Sequence, residues 1–255
     1  MEQKPLILVT NDDGINAKGI NTLINILRPL GDLFVVAPDI EQSGKSSAFT
    51  AHSPIKYKSI KVEDGLTVYS CSGTPVDCVK LALGELLFKQ PDLVVSGINN
   101  GNNSSINVHY SGTTGATNEA ALKGIPSIAF SSIDYSPNAD FDSYSDYIVK
   151  ITQAVIEGEM PFGSYLNVNF PVTEQIQGIK VCRMGYSKWV DEVVECEHPR
   201  GGHYFWLAGE FINDEPNETD TDTWALEHDY VAITPVTTDV TDHKLLNSIK
   251  LAFGI

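Results

Sequence analysis

Basic residues are scarce in this chain of 255 residues: 17 Lys and Arg stand against 33 Asp and Glu, a formal net charge of −16. Long nucleic acids and anionic membranes are bound largely through basic patches, so both are poor partners for such a surface. A small phosphate ester stays admissible where a bound cation offsets the charge locally. Cysteine is scarce too. Cys71, Cys78, Cys182 and Cys196 form no C-x-x-C pair, and a chain of this size needs no disulfides, so they are read as reduced thiols of a cytoplasmic protein. No run approaches the roughly 20 apolar residues of a membrane span. The first apolar run, Leu6 to Val9, is too short for a signal peptide. The six histidines contain no H-E-x-x-H pattern and are assigned no role.

What is present is alternation. Short apolar runs at Leu6–Thr10, Leu33–Ala37, Thr67–Cys71, Asp92–Ser96 and Ser127–Ser131 are separated by helical patterns, the signal for parallel strands with crossover helices. Ile20, Leu23, Ile24 and Leu27 repeat at helical spacing behind a cap expected at Asn16. Thr74-Pro75 opens a helix through Leu87, and Gly124 ends one running from about Thr113 to Lys123. The expected fold is α/β, doubly wound, with a mostly parallel sheet. Beyond a polar loop, Ser132 to Ser145, a helix is expected from about Tyr144 to Ile156. Strands with antiparallel possibilities are expected at Leu166–Phe170, Ile179–Arg183, Tyr204–Ala208 and Tyr230–Thr234, and a last helix at Asp242–Ala252. The acidic stretch Asn213 to Asp222 reads as a solvated loop.

Four loops carry candidate chemistry. The first strand ends in Asn11-Asp12-Asp13-Gly14, two adjacent carboxylates at the edge where open α/β sheets bind ligands; such neighbours repel unless a cation binds. An isolated N-D-D-G is as often a solvated turn. The second loop, Ser43-Gly44-Lys45-Ser46-Ser47, lacks P-loop spacing and reads as a flexible cover whose Lys45 can contact phosphate. Asn99 and Asn103 lie in an amide-rich turn whose carbonyl oxygens suit magnesium or manganese rather than zinc. Ser111, Gly112 and Thr113 open a helix whose N-terminus can hold an anion, although helix caps use the same residues. Four such loops at one edge of one sheet argue for a shared site. Trp189, Trp206 and Trp224 can stack on a base, but burial in a core or subunit interface is the commoner use of tryptophan.

With these segments in hand, the chain closely resembles the stationary-phase survival protein SurE family of 5′/3′-nucleotidases over nearly its full length. The matching segments, in order, are Thr10 to Gly14, Ala37-Pro38 with Ser43-Gly44, Gly73 to Val79, Val95 to Asn99, Tyr110 to Thr113, Leu166 to Pro171 and Ile233 to Pro235. Ser105 and Asp229 stand where the family usually has glycine. The resemblance implies a single domain over 1–255, with a Rossmann-like core in 1–131 and the remainder completing the sheet and carrying oligomerisation elements. It implies a homodimer or homotetramer that exchanges C-terminal elements. It also implies hydrolysis of nucleoside 5′- and 3′-monophosphates with one divalent cation per subunit, magnesium or manganese. By motif position the metal ligands fall on Asp12, Asp13, Ser43 and Asn99, and the phosphate contacts on Ser111, Gly112 and Thr113 with Asn103 nearby.

The mechanism expected is attack on phosphorus by a water that the cation acidifies, with Asn11 and Lys45 as candidates for stabilising charge on the phosphoryl group. A covalent aspartyl-phosphate route is the enzymatic rival, but the D-x-D spacing of that class is missing. A nucleotide or metal sensor without turnover is the rival of another class.

Overall fold

The chain is described by a computed structural model that covers residues 4–136 and 138–254. In chain order its strands are β1 (Leu6–Thr10), β2 (Asp32–Pro38), β3 (Tyr57–Glu63), β4 (Leu66–Cys71), β5 (Leu93–Asn100), β6 (Ser127–Ser132), β7 (Ser164–Phe170), β8 (Gly178–Val181), β9 (Ser187–Val190), β10 (Val193–Glu197), β11 (His203–Leu207), β12 (Glu210–Asn213) and β13 (Tyr230–Thr237). Nine of them form one sheet in the order β3-β4-β2-β1-β5-β6-β7-β13-β8. From β4 to β7 every pair is parallel. The edge strand β3 runs antiparallel to β4, and β13 runs antiparallel to β7 but parallel to β8. Two small antiparallel ladders, β10 with β11 and β9 with β12, lie outside the sheet.

The central strands are apolar on both faces because helices cover both. These are α1 (Lys18–Leu27), α2 (Pro75–Leu81), α3 (Gly112–Leu122) and α4 (Ser145–Glu157). Ile20, Leu23 and Leu27 of α1 and Ile148 of α4 join Ile7, Val9 and Phe130 in one buried cluster. Cys78 and Val79 of α2 and Ala116 and Ala120 of α3 join Leu8, Val36 and Val94 in another. Alternate residues of β1 thus feed two cores. Two further helices follow, α5 (Asp222–Glu227) and α6 (His243–Phe253).

Several local expectations need correction. Helix α1 is preceded by Ala17, not capped by Asn16; the Ala17 N–H donates to the Gly14 carbonyl at 3.0 Å, which places Asn16 inside the turn. Strand β5 runs on through Asn99 and Asn100, which therefore sit on its end rather than in a loop. Strand β3 is fully exposed and shows no apolar alternation, but Asp64-Gly65 between it and β4 is a strong two-residue hairpin signal, with Gly65 at φ +68°. The acidic stretch ends in Asp222, which is 0% exposed. Its carboxylate accepts from the N–H groups of Ser105, Gly185 and Thr223 at 2.8, 2.9 and 2.8 Å.

Thr74 fulfils its reading as a cap: its hydroxyl accepts from Asp77 N–H at 3.2 Å and the Asp77 carboxylate accepts from Thr74 N–H at 2.9 Å, a reciprocal capping box.

The strand order fixes where a ligand goes. From β1 the chain moves outward through β2 to β4, then returns to β5 on the other side of β1. The loops leaving β1 and β5 therefore diverge, and the crevice between them is a topological switch point.

Candidate active site

Asp12 and Asp13 follow β1 at that switch point. Asp12 is 3% exposed, and its Oδ1 accepts from the Thr113 hydroxyl at 2.6 Å. The backbone N–H groups of Gly112 and Thr113, in the first turn of α3, also hydrogen-bond to it. A side chain at Gly112 would put its Cβ 2.9 Å from the Cβ of Asp12, so only glycine lets the helix end approach this closely. Burial pushes the Asp12 carboxyl above its ordinary range, and the hydrogen bonds at the helix terminus oppose that rise.

Asp13 is half-buried, and its Oδ2 accepts from the Asn100 N–H at 3.2 Å. Burial first, and the neighbouring Asp12 charge second, push it up to about 6. Among the described residues, neither carboxylate is in a salt bridge; Lys18 borders the depression on Asp13 but donates to the Ala139 carbonyl at 2.6 Å.

A cleft of about 360 Å³ opens on Asp12 and is lined also by Ser43, Asn99, Asn103 and Ser111. Asp13 lines an adjoining depression of about 270 Å³, and Glu41, Ser43 and Asn100 border both spaces. The structure thus brings together all four residues expected to hold a metal. Asn99 donates through Nδ2 to the Gly101 carbonyl at 2.8 Å, which leaves its Oδ1 as the free donor atom. The Ser43 hydroxyl donates to Glu41 Oε1 at 2.8 Å, and the loop beneath it is pinned by the Gln42 N–H on the Asp12 carbonyl at 2.7 Å. Two carboxylates, one amide oxygen and one hydroxyl make an all-oxygen set that fits a hard divalent cation. Among the described residues no group of three or more His, Cys, Asp or Glu is placed to hold a metal ion, so the set depends on the Ser43 hydroxyl and the Asn99 amide oxygen beside the two carboxylates.

Of the residues expected to contact phosphate, Ser111 and Asn103 line the cleft. The Ser111 hydroxyl accepts from Thr114 N–H at 3.2 Å as the cap of α3. The Thr113 hydroxyl bridges Asp12 and Asn103, whose Nδ2 donates to it at 3.4 Å and to the Ser131 hydroxyl at 2.9 Å. Thr113 is 0% exposed and, with Gly112, lies behind the wall that Ser111 and Asn103 give the cleft. Lys45 is exposed and does not line it. Asn11 is buried: its Nδ2 closes the turn on the Gly14 carbonyl at 3.0 Å, while its Oδ1 has no partner. Buried oxygens of Thr10 at the end of β1 and of Ser96 and Asn100 on β5 are likewise unpartnered. Oxygens of this kind at a sheet edge are available to a ligand or to water.

Sequence reasoning missed part of this site. Asn167 and Asn169, two residues apart on one face of β7, hold Asn103 by its backbone: Asn167 Nδ2 donates to its carbonyl at 2.8 Å and Asn169 Oδ1 accepts from its N–H at 3.0 Å. Two amides alternating on one face of an otherwise buried strand are the signal by which the sequence could have marked them. Glu41, Asn107, Tyr110, Tyr135 and Trp189 also line the cleft. None of the three tryptophans is buried in this chain. Trp206 is 64% exposed, Trp224 is half-buried and stacked on His228, and Trp189 is half-buried in the cleft wall.

Fold and site together define a doubly wound α/β protein with an oxygen-lined, acidic pocket at the carboxyl edge of its parallel strands. The family model described as "Survival protein SurE" matches residues 7–191. The chain belongs to that family. It is 51% identical over 249 residues to a protein of Phocaeicola vulgatus named 5′-nucleotidase SurE, covering 98% of this chain and 97% of that one. A protein of the same name from Bacteroides thetaiotaomicron is 51% identical over 248 residues, covering 97% and 96%. Among solved structures, the SurE protein from Aquifex aeolicus superposes with a TM-score of 0.83 at 38% identity, covering 98% of this chain and 100% of that one.

Proposed function

We propose that this chain is a 5′-nucleotidase: a phosphomonoesterase that hydrolyses nucleoside 5′-monophosphates, and also 3′-monophosphates, to nucleoside and phosphate, using one divalent cation, magnesium or manganese, per subunit. The observation that carries the reading is the pair of carboxylates, Asp12 and Asp13, left without a cationic partner at the switch point of the sheet. The relatives' name, 5′-nucleotidase SurE, supplies the substrate class.

Asp12, Asp13, Ser43 and Asn99 would hold the cation. When bound, it would neutralise the ester phosphate and make water acidic enough to attack phosphorus at neutral pH. The chain's own residues supply the frame. The Thr113 hydroxyl and the start of α3 fix the Asp12 carboxylate, and the Asn100 N–H fixes Asp13. One of the two carboxylates accepts the proton released by water. Ser111 and Asn103, backed by Gly112 and Thr113, form the wall against which the phosphate oxygens would sit; Asn11 holds the turn beneath them, and Lys45 would approach from the covering loop when substrate is bound. Water attack is favoured over an aspartyl-phosphate because the buried Asp12 is already engaged by the Thr113 hydroxyl and the helix end.

We also propose that the chain works as a homodimer or homotetramer with exchanged C-terminal elements. The support is α6, which buries no residue of its own and leaves Leu245, Leu246, Ile249 and Phe253 exposed.

A phosphate-release screen over nucleoside monophosphates, with magnesium, manganese or a chelator, tests the reading. Release that stops with chelator and returns with metal is expected. Binding of nucleotide with no release under any metal would make the protein a sensor instead.

A further inference from the structure

The cleft has two kinds of lining. Asp12, Asn99 and Ser111 supply oxygen and amide groups, and Tyr110, Tyr135 and Trp189 supply aromatic rings. The aromatic side chains come from three separate segments: Tyr110 precedes α3, Tyr135 follows β6, and Trp189 sits on β9 in the C-terminal arm. Water meets these rings. Tyr110 is 60% and Tyr135 65% exposed, while Trp189 is half-buried.

The rings are also oriented. Trp189 Nε1 donates to Asn107 Oδ1 at 2.9 Å, and the indole meets Phe211, its partner across the β9/β12 ladder, edge-on with centroids 5.5 Å apart. The Tyr135 hydroxyl accepts from the Asn102 N–H at 3.1 Å. Trp189 and Tyr135 are thus tied by their polar atoms to the asparagine-rich segment between β5 and α3. Exposed aromatic surface beside a polar pocket suits a ligand that is itself divided into an anion and a planar apolar ring.

We propose that Trp189, held by Asn107 and accompanied by Tyr110 and Tyr135, is the platform on which the nucleobase of the substrate stacks while the phosphate lies at the carboxylate end. The proposal rests on the nucleotidase reading above and assigns substrate selection to the C-terminal arm. Every base has a π-face, so a stacking platform senses that a base is present rather than which base it is.

The test compares adenosine 5′-monophosphate with ribose 5-phosphate, the same ester without its base. In the wild type, kcat/KM for the nucleotide exceeds that for the sugar phosphate. In Trp189→Leu that ratio falls roughly 5- to 150-fold, mostly through KM of the nucleotide, the fold-change that corresponds to one lost base–aromatic stack. Trp189→Phe keeps most of the ratio. Asn107→Ala, which frees the indole without removing it, lowers the ratio by less. A ratio unchanged in Trp189→Leu, whether both rates fall together or neither moves, overturns the proposal and leaves Trp189 as a tie between arm and loop. A readout independent of turnover is quenching of indole fluorescence by adenosine, expected in the wild type and lost in Trp189→Leu; no quenching in the wild type overturns the platform. A wild type that is quenched by adenosine but releases no phosphate from any nucleotide refutes the nucleotidase reading and not the platform.

Discussion

The carboxyl edge of β1 and β5 and the C-terminal arm break opposite rules. At the edge, polar groups are buried: Thr10 and Asn11 are 0% exposed and Asp12 3%. In the arm, apolar groups are exposed: Phe205, Trp206 and Leu207 of β11 stand at 61, 64 and 86%, and Phe253 of α6 at 77%. Burying polar atoms is unfavourable unless something pairs with them, and exposing large apolar side chains is unfavourable unless something covers them. On the function proposed above, each region is a surface with a partner of definite chemistry: a cation and a phosphate for the first, another protein surface for the second.

The largest effect should come from Asp12→Asn. It removes a proposed ligand, so phosphate release should fall by more than the roughly 10- to 100-fold that loss of an outer partner costs. A magnesium titration checks it, and full release at low magnesium would dismiss the metal role of Asp12. Thr113→Val keeps the shape and removes the hydroxyl between Asp12 and Asn103. Release should drop about 10- to 100-fold, with a higher magnesium requirement; an unchanged magnesium dependence would show that the hydroxyl serves only the fold.

The arm is challenged by Leu246→Glu with Phe253→Glu, which places charge on the exposed stripe of α6. Light scattering should show the wild type as a dimer or tetramer and the variant at lower mass; equal masses would remove α6 from the assembly surface. Lys45→Ala should do least. An exposed charge contact contributes at most about 1 kcal/mol, so release should fall no more than about fivefold. A larger loss would bring Lys45 into the cleft during turnover.

The two regions also differed in how far residues alone revealed them. Helix α2 was readable from Thr74 and Pro75, because a cap and an N1 proline act within one turn of chain. The five core strands of the first half were readable because they are apolar on both faces. Strand β3 escaped: an exposed edge strand needs no apolar alternation, and only the Asp64-Gly65 turn marked it. Asp222 escaped as well. Its three backbone donors lie at Ser105, Gly185 and Thr223, the first two far away in sequence, and a carboxylate inside an acidic stretch looks solvated until those donors surround it.

The sequence by itself determined the doubly wound order, the acidic turn after β1 and the family, since each rests on local periodicity or on contiguous motifs. Tertiary structure alone decided the rest. It carried β5 through Asn99 and Asn100 so that the Asn100 N–H reaches Asp13, made the Ser111 hydroxyl a helix cap and the Thr113 hydroxyl a bridge to Asp12, and brought Trp189 from the arm into the cleft. The physical reason is that a hydrogen-bonding group satisfies whichever partner packing brings within reach. That partner is chosen by strand order and helix docking, not by neighbours along the chain.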